Sequence, residues 1–137
     1  MQLSKTTQYA IRALSYLHVN NKTKHSVNTL HKELDIPYKY LTKLMTDLVG
    51  KGLVVATRGR DGGFSLAKDA DSIYLSDIID ATGESLQTNQ CVMGFEKCDF
   101  SNPCSLHERW LEPKSIIDKI FTTTTLNSLV EDKNTKI

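Results

Sequence analysis

Residues 37–66 read PYKYLTKLMTDLVGKGLVVATRGRDGGFSL, and two periodicities follow one another there without a gap. Leu41, Leu44, Met45, Leu48 and Val49 recur at helical spacing over about Pro37 to Lys51, while Lys39, Thr42, Lys43 and Thr46 take the outer face. Pro37 suits the first helical position, and Gly52 suits the residue just past the end. Leu53 to Thr57 is then β-branched and apolar, Arg58-Gly59-Arg60-Asp61-Gly62-Gly63 is a glycine-rich turn, and Phe64-Ser65-Leu66 alternates again. This spells a β-hairpin that carries two arginines at its tip.

Working towards the N-terminus, Ser26 can cap a short helix with Val27, Leu30 and Leu34 on one side, and Asp35-Ile36-Pro37 breaks the chain briefly. Two helices joined by a few residues, the second basic and amphipathic, form a helix-turn-helix pattern, which an ordinary helical hairpin shares. The basic hairpin directly after it turns the pattern into a winged helix, whose second helix enters the major groove while the wing reaches a neighbouring groove or phosphate. Ahead of both, Ala10, Ala13, Leu14 and Leu17 mark a helix from roughly Lys5 to Asn20, with Ser4 as its cap. The glycines of the wing are no phosphate-binding loop: they precede a strand, and no Gly-x-x-x-x-Gly-Lys-Ser/Thr occurs.

Beyond Lys68, Ser76 can cap a short helix holding Ile78 and Ile79 and ending at Gly83. All three cysteines of the chain follow, as Cys91-x6-Cys98-x5-Cys104-x2-His107. An odd count leaves no complete pairing within one chain. Thiolates and imidazole suit iron–sulfur clusters and zinc. Gly94, Asp99, Ser101, Asn102 and Pro103 describe a loop able to fold back on an ion, against the plainer alternative of three structural cysteines. Asn102-Pro103 reads as a helix start. Leu106, Trp110, Pro113, Ile117 and Ile120 then step by 4, 3, 4 and 3, a seam suited to a second helix, including its own copy in a dimer. Pro113 predicts a kink or a restart. Thr125 opens a last short helix with Leu126, Leu129 and Val130, before a polar, loose end.

With 137 residues, 39% apolar and 24% charged, the chain suits one folded domain with an appended arm rather than a disordered segment. The longest apolar run, Leu53-Val54-Val55-Ala56, is far too short to span a bilayer. No signal region opens the chain, and free thiols point to the reducing cytoplasm. The net charge of +1 hides an asymmetry. Residues 1–68 hold eleven Lys and Arg against four Asp and Glu, a balance of +7, and the remainder hold six against twelve, or −6. A basic half on an acidic half suits a protein that meets a polyanion at one end; a solvated mixed surface is the other reading of charge alone.

These residues resemble the IscR/NsrR-type winged-helix regulators, bacterial repressors and activators that sense through an iron–sulfur cluster. Met1-Gln2-Leu3-Ser4 with Tyr9-Ala10 and Arg12-Ala13-Leu14 looks like their first helix, and Lys51-Gly52-Leu53-Val54 into Arg58-Gly59-x-x-Gly62-Gly63 looks like their wing. Leu75-Ser76-Asp77-Ile78-Ile79 matches their next helix, and Thr125-Leu126-x-x-Leu129-Val130 their ending. The resemblance implies a mainly α fold with a small β wing, divided into a DNA-binding domain over 1–83, a cluster loop over 84–103 and a dimerisation segment over 104–137. It implies a homodimer on a two-fold double-stranded DNA operator, with Leu106, Trp110, Ile117 and Ile120 between the copies.

By position, Cys91, Cys98 and Cys104 become the thiolates of a 2Fe–2S or 4Fe–4S cluster, and His107 looks like the histidine ligand of the IscR branch. With Cys104 and His107 at i, i+3 on a helix, both would share a face. A histidine near an interface is otherwise a hydrogen-bonding residue. Two departures stand out: the six residues between Cys91 and Cys98 are one more than the IscR branch has, and Gln8 stands where some NsrR relatives supply a carboxylate. The matching DNA positions are Tyr38, Lys39, Tyr40, Thr42 and Lys43 in the recognition helix and Arg58 and Arg60 in the wing. A zinc-stabilised or thiol-switch regulator would use the same three cysteines and histidine. An electron-transfer or cluster-carrier protein would need neither the basic half nor the wing. No nucleophile–base pair is identifiable, so an enzyme is not expected.

Overall fold

The structure, a computed structural model, describes residues 2–85, 91–131, 133, 134 and 136. Residue 1 of the expected opening motif, residues 86–90 of the expected cluster loop, and 132, 135 and 137 of the polar end lie outside the described residues. The described elements run α1 (Lys5–Val19), α2 (Val27–Leu34), α3 (Tyr38–Gly50), β1 (Val54–Thr57), β2 (Gly63–Leu66), α4 (Leu75–Ala81), α5 (His107–Thr123) and α6 (Leu126–Val130), with a single 3-10 turn over Ala70–Ser72. The fold is mainly α with a two-stranded antiparallel wing.

Local chemistry sets the first three helices. The Ser4 and Ser26 hydroxyls accept from the Thr7 and Thr29 N–H groups at 3.2 and 3.1 Å, satisfying donors that a helix start leaves free. Pro37 sits at the cap of α3 rather than inside its first turn. Gly52 follows α3 with φ 75°, the left-handed conformation that ends it. Leu41, Leu44, Met45 and Leu48 are all essentially inaccessible and meet Ala10, Ala13 and Leu14 of α1 and Leu30 of α2 in one core. Each buried leucine or methionine there stabilises the fold by roughly 1.5–3 kcal/mol relative to an exposed one.

The wing pairs Val54 with Leu66 and Thr57 with Gly63. Its inner edge is extended by His25, whose N–H donates to Phe64 O at 3.1 Å and whose O accepts from Phe64 N–H at 2.7 Å. That close crossing explains Gly63. A Cβ there would lie 2.9 Å from the His25 backbone, and φ is 142°.

The second half departs from expectation in three places. Helix α4 is capped at Tyr74, with Ser76 inside its first turn; the Asp77 carboxylate accepts from Tyr74 N–H at 2.8 Å, and Leu75 N–H donates to Thr124 O at 3.0 Å. The long helix begins at His107, four residues after Pro103, because the Asp99 and Cys104–His107 turns occupy the chain before it. It then runs as one helix through Pro113, so of the expected kink or restart there is no restart; the ring removes one donor, the N–H that would reach Arg109 O. Thr125 caps α6 as expected, and the Leu126 side chain is fully buried in the core beside α1. There His18 Nε2 donates to Asn127 Oδ1 at 2.9 Å. Among the described residues no helix is long and apolar enough to cross a membrane.

Candidate metal centre and nucleic-acid interface

Cys91, Cys98, Cys104 and His107 all line one hollow of about 310 Å³ at the start of α5. Cys98 Sγ lies 3.2 Å from His107 Nδ1, and the Phe100 ring and the imidazole are T-shaped to one another at a centroid distance of 4.8 Å. Cys91 is the most buried of the thiols. Its pKa is lowered from the ordinary thiol value: the Phe95 N–H leads, burial opposes, and the Met93 N–H, the Cys104 side chain and the Gly94 N–H add to the lowering. Asp99, which lines the same hollow, is held below the ordinary carboxylate range first by the Ser101 hydroxyl at 2.7 Å and then by the Ser101 N–H at 2.8 Å, with burial opposing.

Of the four donors, Cys98 and His107 are in direct contact, and Cys91 and Cys104 line the same hollow. Among the described residues no three His, Cys, Asp or Glu side chains stand at the mutual separation that holds an ion. Cys104 precedes α5 rather than riding on it; the His107 N–H donates to Cys104 O at 3.0 Å, so a turn, not a shared helix face, brings the two together. The chemistry of the set nevertheless fits a thiophilic centre. Three thiols and an imidazole open on one space, the Cys91 thiol is held below its ordinary pKa, and buried His107 Nε2 has no hydrogen-bond partner.

On the opposite half, Lys39, Thr42, Lys43 and Thr46 form the exposed face of α3, as the buried stripe requires. The Thr42 hydroxyl donates to Tyr38 O at 2.9 Å, which leaves it an acceptor for anything outside. Tyr38 is half exposed and meets His31 edge-on at 5.9 Å. Tyr40 is tied inward: its hydroxyl bonds Thr6, and its ring meets Tyr9 edge-on at 5.4 Å. Arg12 braces the same corner, donating to Leu34 O at 2.6 Å at the end of α2. Arg58 and Arg60 are exposed at the wing tip, where a Cβ on Gly62 would fall 2.2 Å from Thr57 O.

Along α5, Leu106, Trp110 and Ile117 are partly exposed and Ile120 is 51% exposed. Ile116, which the 4–3 spacing skipped, is 54% exposed one turn before Ile120. Phe121 instead turns back onto the core. Thr6 and Glu84 also escaped the sequence reading, and Tyr9 entered it only as part of the first-helix motif, because each works through a partner distant in the chain.

The Rrf2 family, described as an iron-dependent transcriptional regulator, matches residues 3–132. A chain of Aquifex aeolicus, named as a candidate HTH-type transcriptional regulator, is 39% identical over 132 residues, covering 95% of this chain and 92% of that one. The HTH-type transcriptional regulator IscR of Klebsiella pneumoniae is 29% identical over 134 residues, covering 97% and 82%. Among solved structures, CymR, the global cysteine regulator of B. subtilis, superposes with a TM-score of 0.81 at 22% identity, covering 99% of each chain.

Proposed function

Because this chain belongs to the Rrf2 family of transcriptional regulators, we propose that it works as a homodimer on double-stranded DNA. In this reading it senses through an iron–sulfur cluster held by Cys91, Cys98, Cys104 and His107. The supporting observation is the convergence of those four side chains on one hollow at the foot of α5. A bound cluster supplies a group that can be lost, oxidised or chemically attacked. The chain supplies the rest: Cys91, whose thiol pKa is lowered by the Phe95 N–H, Cys98 in contact with His107, and a helix that joins this site to the rest of the molecule.

In the same reading, residues 1–83 bind DNA, 84–103 form the sensing loop, and 104–137 carry the dimer contact. Lys39, Thr42 and Lys43 address the major groove, with Tyr38 beside them, Tyr40 holding the helix in place, and Arg58 and Arg60 taking phosphates or a neighbouring groove. Leu106, Trp110, Ile117 and Ile120 meet their copies. Regulation requires the loop's two states to differ in free energy between the binding and non-binding arrangements; ~1–3 kcal/mol changes affinity roughly 5–150-fold.

The test is binding of the full chain to a duplex it selects from a random-sequence pool, before and after iron is stripped by a chelator under anaerobic conditions. The reading expects affinity to change at least severalfold and to return when iron and sulfide are restored. Equal affinity in both states would remove the sensing role.

A further inference from the structure

The carboxylate of Glu84 gathers the start of α1. It accepts the Ser4 N–H at 3.0 and 3.2 Å on its two oxygens and the Ser4 hydroxyl at 3.0 Å, and it bonds the Thr7 hydroxyl. Thr7 is fully buried and also meets the Thr82 hydroxyl at 2.7 Å. Ser4 is the cap of α1, so one carboxylate fixes both the cap and the first turn, at the helix end where negative charge is favourable.

Thr6 lies between these two anchored residues, and its hydroxyl bonds Tyr40 on α3, the helix that carries Lys39 and Lys43. Tyr9, one turn further along α1, packs against the same tyrosine ring. Two sets of hydrogen bonds, Glu84 with Ser4 and Thr7 and Thr6 with Tyr40, are therefore joined through the backbone of the first turn of α1, which links residue 84, seven positions before Cys91, to the helix proposed to read DNA.

We propose that Glu84 is a positioning residue for DNA recognition. It fixes the start of α1 and, through the Thr6–Tyr40 contact, sets the pose of α3 from the root of the cysteine segment. The inference rests on the DNA-binding part of the reading above and not on the identity of any metal. Glu84 touches no DNA in this scheme, and removing a negative charge would by itself tighten binding to a polyanion. Weaker binding on its neutralisation therefore reports position rather than charge.

The experiment is a double-mutant cycle on the full chain, using Glu84→Gln and Thr6→Val and reading affinity for a duplex enriched by the wild-type chain from a random-sequence pool. Glu84→Gln should weaken binding roughly 5–10-fold in the wild-type background, the low end of ordinary coupling between sites. It should have almost no further effect once Thr6→Val has cut the link, although the thermal midpoint falls in both backgrounds. Equal weakening in both backgrounds, or no weakening at all, overturns the inference. Should Glu84→Gln fail to fold, Thr82→Val removes one hydroxyl from the same cluster and carries the cycle under the same criterion. A wild-type chain that enriches no duplex refutes the DNA reading and this inference with it; one that does, with an additive cycle, refutes the inference alone.

Discussion

Cys98 Sγ and His107 Nδ1 stand 3.2 Å apart, nine residues distant in sequence, across the hollow that Cys91 and Cys104 also line. If this pair is half of a ligand set, its two members should fail differently. Cys98→Ser, like Cys91→Ser and Cys104→Ser, should abolish or strongly destabilise the cluster, because a hydroxyl is a poor soft ligand. His107→Ala should leave a weaker or spectrally altered centre. Iron and sulfide analysis with visible absorption reads both; full occupancy with an unchanged spectrum in all four variants would end the assignment.

The exposed face of α3 and the wing tip predict a salt-dependent surface. Arg58→Ala should weaken duplex binding, and Lys43→Ala should also relax sequence preference if its side chain meets a base edge. Affinity measured against salt should fall with a log–log slope of about −0.9 per neutralised phosphate. A triple Lys39/Lys43/Arg58 alanine variant that binds normally would place the surface elsewhere.

Ile116 and Ile120 leave more than half their surface to solvent on α5, where Ile117 is partly covered. Charged substitutions at Ile117 and Ile120 should give monomers by sedimentation and weaken binding to a two-fold site far more than to a half-site. A wild-type monomer at micromolar concentration with full affinity would contradict this.

Gly63 crosses the His25 backbone with no room for a side chain, and its φ lies where L-residues are strained. Gly63→Ala should lower stability by about 1–3 kcal/mol, read by thermal or denaturant unfolding. A neutral substitution would mean that the wing packs differently against His25.

Glu84 also predicts the acid limb of stability. Burial pushes its carboxyl up, but the hydrogen bonds from the Thr7 hydroxyl and from the Ser4 backbone and hydroxyl outweigh it and hold the pKa below the ordinary value. A group whose folded pKa is depressed contributes stability above its unfolded pKa and loses it as pH falls through the folded one. The melting temperature of wild type should therefore drop more steeply than that of Glu84→Gln as pH falls through and below the ordinary carboxylate range. Parallel curves would show that the cluster around Ser4 and Thr7 does not depend on the charge.

The first half of the fold was legible because its signals are local. The helical stripe from Leu41 to Val49, the serine caps and the glycine-rich wing each specify an element from neighbouring residues. The second half was less so. Ser76 has the chemistry of a cap, yet α4 starts earlier because Leu75 N–H and Tyr74 are held by Thr124 and Asp77. Asn102-Pro103 is a sound helix start overridden by turns that bring Cys104 and His107 to the hollow. The ligand candidates were visible as a cluster of residue types, but the direct contact of Cys98 with His107 was not. The links that hold Tyr40, from Thr6 and Tyr9, span more than thirty residues and leave no periodic trace in the sequence.

The most direct measurement of the central claim is metal and sulfide analysis of the full chain purified anaerobically from iron-replete cells, together with its visible spectrum. The account predicts a brown protein with near-stoichiometric iron and acid-labile sulfide and absorption that disappears when the cluster is lost. Zinc alone at native stoichiometry, or a colourless chain without iron or sulfide, would contradict it.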